Sequence, residues 1–215
     1  MLKTFSALCA IVAVFTALGM PVAQATPASE AFIQQNLDKA NIILTTTSLS
    51  DAERHEQLHA LLLGLAASRR IALFTLGPYA NGTAPADLDG FVGAFTNYSI
   101  AVYENALDRY KGQPLKVTGS SDRAADDSLV QTEFVNPEPS NAQPIRLTFR
   151  VRRAENGAPT ITDIQVEGVS FAGAQRADFT AYLQQHNGSI PELARNLNAL
   201  SEKLARKAET LSAGN

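Results

Sequence analysis

The run His55-Glu56-Gln57-Leu58-His59 matches H-E-x-x-H, the pattern in which two histidines grip zinc and the glutamate serves as general base. On a helix the two imidazoles share one face. Such a site needs a third protein ligand, and no histidine or acid follows until Asp87; the longer H-E-x-x-H-x-x-G-x-x-H form is absent. Three fixed positions in five arise readily in a charged helix, so the expectation is two partly exposed helical histidines and no metal. Other chemistry is thinly represented. Cys9 is the only cysteine, no G-x-S-x-G, Walker or dinucleotide motif occurs, and the carboxylates are scattered. The reading is a protein that is not an enzyme and needs no cofactor.

At 215 residues the chain has the length of one domain with a real core. Residues 1–25 are set apart from it: Lys3 is their only charge, an apolar run spans Leu8 to Leu18, and Ala23-Gln24-Ala25 fits a small-residue cleavage site. They read as a secretory signal peptide removed after Ala25. A retained membrane anchor is the competing reading, but the run is shorter than the ~20 residues of a span. The domain then occupies residues 26–207, and 208–215 form a frayed tail. No cluster of Lys and Arg is present, which argues against nucleic acid and against binding to anionic lipid surfaces.

Periodicity supplies the elements. A helix is expected over about Ser29–Thr46 with Phe32, Ile33, Leu37, Ala40, Ile43 and Leu44 as its stripe. Ser50 and Glu53 form a capping box opening a helix that carries Leu58, Leu61, Leu62 and Leu65. A short helix through Ile71, Leu73 and Phe74 ends at Gly77-Pro78. From Pro85 to Tyr110, Leu88, Phe91, Val92, Phe95, Tyr98, Val102 and Ala106 recur at three- and four-residue spacing as one aromatic-rich face, and Gly112 stops the helix.

Four strands follow: Leu115–Ser120, Leu129–Val135, Ile145–Arg152 and Ile161–Val169, the first two separated by a polar loop, Ser121–Asp127. Asn156-Gly157 predicts a two-residue type I′ hairpin. That register sets Phe149 opposite Ile164, Leu147 opposite Val166, Arg150 opposite Asp163 and Arg146 opposite Glu167. From Ala172 the period becomes helical again, and Ser189-Ile190-Pro191-Glu192 opens a last helix with a second capping box. The fold class is α+β: a four-stranded antiparallel sheet packed on several helices, an arrangement that leaves room for an apolar cavity between the layers.

The run Asp163-Ile164-Gln165-Val166-Glu167-Gly168-Val169-Ser170, with Arg176 and Phe179 after it, resembles the signature of the MlaC family. Phe95, Tyr98, Tyr103, Leu107, Tyr110 and Gly112 resemble the family pattern on the long helix. The resemblance spans about Ser50 to Leu200 and is nearest the hopanoid-associated branch called HpnM. It implies a monomeric periplasmic lipid carrier, serving an inner-membrane MCE-type ABC transporter and an outer-membrane lipoprotein complex. It also implies a cavity for phospholipid or hopanoid-like tails lined by Phe91, Phe95, Tyr98, Val102, Phe134, Leu147, Phe149, Ile164, Val166, Val169, Phe171, Phe179 and Tyr182. The sequence departs from the family at Gln175, near Pro159 and at Leu65-Ala66, which bears on the identity of the lipid. Two rivals stay open: a small-molecule enzyme or binder with a cone-shaped sheet like that of nuclear transport factor 2, and a periplasmic adaptor without ligand.

Overall fold

Six helices and one antiparallel sheet make up the computed structural model, which describes residues 27–107, 113–135 and 146–212, with side chains over 27–105, 113–135 and 146–206. The leader expected over residues 1–25, together with Tyr110, Gly112 and Ile145, lies outside them. Helix α1 (Pro27–Thr45) is followed by α2 (Asp51–Leu65), α3 (Ser68–Leu76), a 3-10 turn at Gly77–Ala80, and α4 (Pro85–Leu107). Strands β1 (Leu115–Ala124), β2 (Asp127–Phe134), β3 (Arg146–Arg153), β4 (Pro159–Val166) and β5 (Val169–Ser170) pair in sequence order as a meander. Helices α5 (Phe171–Gln185) and α6 (Ile190–Ser212) close the chain. Among the described residues no helix is long and apolar enough to cross a membrane.

The start of α2 is built as the sequence predicts. Ser50 Oγ accepts from the Glu53 amide at 3.3 Å while Glu53 Oε2 accepts from the Ser50 amide at 2.8 Å. The same helix ends α1. Arg54 reaches back and donates to the carbonyls of Ile43, Leu44, Thr46 and Leu49 at 3.0, 2.9, 3.3 and 3.2 Å. Those carbonyls are the free acceptors at and just past a helix C-terminus, where a cation is favoured. Arg54→Ala should therefore cost about 2 kcal/mol of stability, the scale of hydrogen bonds to a charged group. Urea titration measures it, and a loss under about 0.5 kcal/mol would show that water replaces the guanidinium without cost.

The sheet departs from expectation in three places. It has five strands, not four. Glu167 and Gly168 both take positive φ, 48° and 80°, so the chain reverses in a type I′ turn and Val169 pairs back onto Val166. Secondly, Ser121–Asp127 is no loop: β1 runs to Ala124 and β2 begins at Asp127. Its polar side chains are satisfied locally, Ser128 Oγ donating to Asp122 at 2.6 Å and Arg152 to Asp126 at 3.1 Å. Polar composition therefore hid a hairpin. Finally, the Asn156-Gly157 turn is one residue longer than predicted. Ala154 and Ala158 close it at 2.8 Å with Gly157 at φ 79°. A bulge between Arg150 and Val151 cancels the offset, so Phe149 does face Ile164, Leu147 faces Val166 and Arg150 faces Asp163.

The ion pairs expected from that register do not form. Arg150 grips Asp127 instead, Nε to Oδ1 at 2.9 Å and Nη2 to Oδ2 at 2.5 Å. Glu167 accepts from the Arg146 backbone amide at 2.6 Å, while the Arg146 guanidinium stands 3.7 Å from Glu133. The second capping box is half formed. Ser189 Oγ accepts from the Glu192 amide at 3.3 Å, but the Glu192 carboxylate is taken by His186 at 2.7 Å.

Two apolar cores result. One joins α3, α4, α5 and α6 through Leu76, Phe91, Phe95, Phe179, Leu183, Leu193 and Leu197. The rings of Phe91, Phe95 and Phe179 sit 6.0 to 6.2 Å apart, edge to face where Phe179 meets the other two. The other core joins α1 to the sheet through Ile33, Val130, Phe149, Val151 and Ile161.

Candidate functional site: an apolar cavity between the two cores

Where the two cores could have merged they leave a cavity of about 490 Å³. Helix α1 contributes Ile33, Leu37, Ala40 and Leu44 to its wall, α2 contributes Leu61, Leu62 and Leu65, and α3 contributes Ile71. Helix α4 adds Phe95, Ile100, Val102 and Tyr103, and the sheet closes the far side with Leu115, Phe134, Leu147, Phe149, Ile161, Ile164 and Val166. Phe171 and Ala172, the first turn of α5, complete it.

Eight of the thirteen residues named from sequence reach this wall: Phe95, Val102, Phe134, Leu147, Phe149, Ile164, Val166 and Phe171. Five are elsewhere. Phe91, Phe179, Tyr98 and Tyr182 pack in or against the helical core. Tyr182 also stacks on His186 at 3.9 Å. Tyr98 hydrogen-bonds Gln175, and burial pushes its phenol up. Val169, on β5, is 66 % exposed. The α1 and α2 stripes were visible in the sequence, but periodicity marks them only as buried faces. Thr96, Ser99, Asn36 and Asn41 carried no such signal, because polar atoms on a cavity wall break the apolar pattern that finds it, and Tyr103 was marked by the family pattern alone.

Among the described residues one acid lies in the wall. Asp163 is 9 % exposed, and its Oδ1 accepts from the Ala172 amide at 3.0 Å. With Ser170 Oγ, which accepts from Gly173 at 2.9 Å, it holds the N-terminus of α5, where a carboxylate is stabilised by the helix dipole. Tyr103 packs its ring 5.3 Å from Phe171, and burial, then the charge of Asp163, raises its phenol far above the ordinary range. Asp163 is thus placed as a cap in a wall that is otherwise mostly apolar, with Asn36, Asn41, Thr96, Ser99 and Tyr103 among its polar members.

His55 and His59 come together with Glu104 of α4, too far along the chain for local spacing to reveal. Their Nδ1 atoms stand 3.8 and 3.5 Å from its carboxylate oxygens. Among the described residues no group of three or more His, Cys, Asp or Glu side chains is arranged to hold a metal ion.

Residues 34–199 match the family model described as MlaC protein. A solved structure of the phospholipid-binding protein from Ralstonia solanacearum, in complex with a phospholipid, is similar in fold: TM-score 0.68 and 20 % identity, over 82 % of this chain and 98 % of that one.

Proposed function

The chain belongs to the MlaC family, and from that premise we propose that it is a periplasmic lipid carrier, holding acyl tails in the cavity and shuttling them between membrane complexes. Residues 1–25 are its export signal in this reading, and an MCE-type ABC transporter and an outer-membrane lipoprotein complex are its docking partners. The supporting observation is the cavity itself: about 490 Å³, walled by aliphatic and aromatic side chains from both layers of the fold. An apolar cavity of ~150 Å³ holds the six carbons of benzene, so this one has room for about twenty. That is one long acyl chain, or the inner halves of two. The phospholipid in the Ralstonia solanacearum protein favours phospholipid as ligand over a hopanoid-like lipid.

Energetics suit a shuttle. Each buried methylene gains roughly 0.8 kcal/mol over water, and a bilayer offers nearly the same, so transfer between membrane and cavity is close to neutral. The barrier lies in crossing water, which places release on a docked partner. Native mass spectrometry of protein purified without detergent tests the reading: a co-purifying phospholipid is expected. A small polar ligand would favour the enzyme reading, and an empty protein the adaptor.

A further inference from the structure

Three polar members of the cavity wall meet at one corner. Ser99 and Tyr103 stand four residues apart on α4, neighbours on the face it turns to the cavity. The Tyr103 ring packs on Phe171 at 5.3 Å, and its phenol lies close enough to Asp163 to feel that charge. Asp163 in turn accepts from the Ala172 amide through Oδ1. Two hydroxyls and a carboxylate therefore gather between α4, β4 and the start of α5. Other polar atoms of the wall are turned back into their own helices. Asn36 Nδ2 donates to the Phe32 carbonyl and Thr96 Oγ1 to the Val92 carbonyl, both at 2.7 Å. Ser99 makes no such bond. Its Oγ is buried with no hydrogen-bond partner among the described residues, so turning it towards the cavity breaks nothing.

A few polar groups converging in an apolar pocket fix what it accepts. An ester or ketone oxygen only accepts, as the carboxylate does, so the two do not pair. An ammonium group carries a heavy desolvation cost against a mostly apolar wall. A hydroxyl donates and accepts, which suits a carboxylate on one side and a serine or tyrosine hydroxyl on the other. Depth says which part of a lipid arrives there. Val166 lines the cavity and is 47 % exposed, whereas Asp163, three residues back along β4, is 9 % exposed. That is about 10 Å along the strand, so a head group left in water beside Val166 leaves the corner to the tail. We propose that Ser99, Tyr103 and Asp163 bind a hydroxyl on the buried chain of the lipid, so that the cavity selects hydroxyacyl lipids over plain hydrocarbon tails; the proposal rests on the carrier reading. Against a plain tail the same groups stay unpaired, which opposes its binding.

Competition between two lipids tests the selection. Protein is equilibrated with vesicles that hold equal amounts of a stearoyl phosphatidylethanolamine and its hydroxystearoyl counterpart. The hydroxyl stands near the ester, at mid-chain or at the chain end in separate trials, and bound lipid is extracted and measured by mass spectrometry. At one or more of these positions wild type should favour the hydroxylated lipid about three- to thirtyfold, the range for one or two hydrogen bonds. Ser99→Ala/Tyr103→Phe removes both hydroxyls and keeps the apolar body of each side chain. It should lower that preference about threefold or more. The ratio is read within each protein, so a general change in lipid uptake cancels. Plain lipid bound with no preference at any position overturns the hydroxyl site and leaves the carrier reading standing. A preference that the variant keeps in full overturns the assignment to Ser99 and Tyr103. Uptake of neither lipid overturns the carrier reading and the selection with it.

Discussion

Protein carrying Phe149→Asp should come through detergent-free purification without bound lipid. Phe149 is 8 % exposed, belongs to the sheet core with Val130, Val151 and Ile161, and lines the cavity. The substitution places a carboxylate where lipid tails would lie, and such a group either costs several kcal/mol or takes up a proton at neutral pH. It also removes a ring whose loss from a core costs about 3–5 kcal/mol, so folding must be checked by circular dichroism. Val166→Asp provides the milder counterpart. Val166 lines the same cavity but is 47 % exposed, so the protein should fold normally and still carry less lipid than wild type. Lipid content equal to wild type in both folded variants would remove the cavity from the proposed function.

How far the sequence reached can be seen along α4. Its aromatic stripe was read as one surface, and the structure divides it. Phe91 turns into the helical core, while Phe95 and Val102 sit where that face meets the cavity face of Thr96, Ser99, Ile100 and Tyr103. Successive residues step about 100° around a helix, so the cavity face is centred roughly a third of a turn from Phe91, with Phe95 and Val102 between them. Periodicity cannot separate a face that packs on protein from one that borders empty space. At the shared residues Phe95 and Val102 the side-chain chemistry is that of a core, and the difference lies in whether a partner layer approaches.

The sheet shows the opposite case. Period-2 alternation fixed which side of β3 and β4 faces inward, and Phe149, Leu147, Ile164 and Val166 fall on the cavity side even though the turn was misjudged by one residue. A one-residue slip would have flipped every side chain, and the bulge before Val151 restores the register that burial demands. Charges gave weaker guidance. Arg150 lies opposite Asp163 in register, but Asp127 approaches from β2, a strand whose polar start reads as loop in the sequence. Without that strand the true partner could not be seen.

That corrected pairing leads to a larger effect than an exposed salt bridge would give. Arg150→Ala should destabilise the protein by about 2 kcal/mol at neutral pH, the scale of charge-assisted hydrogen bonds with one partner left behind. Arg150 makes two such bonds to Asp127, whose side chain is only 8 % exposed. Hydrogen bonding from Arg150 holds the Asp127 carboxyl below its usual value, against the opposing effect of burial, with the charges of Arg150, Arg152 and Arg123 assisting. The folded-state pKa is thus depressed, so the stabilisation is present above the unfolded pKa of about 3.9 and is lost as pH falls through the folded one. Arg150→Ala leaves that carboxylate with Arg152, whose Nε stands 3.9 Å away. The difference between wild type and variant should therefore shrink as pH is lowered below about 4, because acid neutralises the orphaned group in the variant and the paired one in wild type. Removing the orphan should also restore stability: Asp127→Ala/Arg150→Ala is expected to be more stable than Arg150→Ala alone. Urea unfolding at several pH values reads all three quantities. A double variant less stable than Arg150→Ala would mean that Asp127 is held chiefly by Arg152 and its neighbours, and a pH-independent difference would mean that Arg150 acts through packing of its stem and not through the carboxylate.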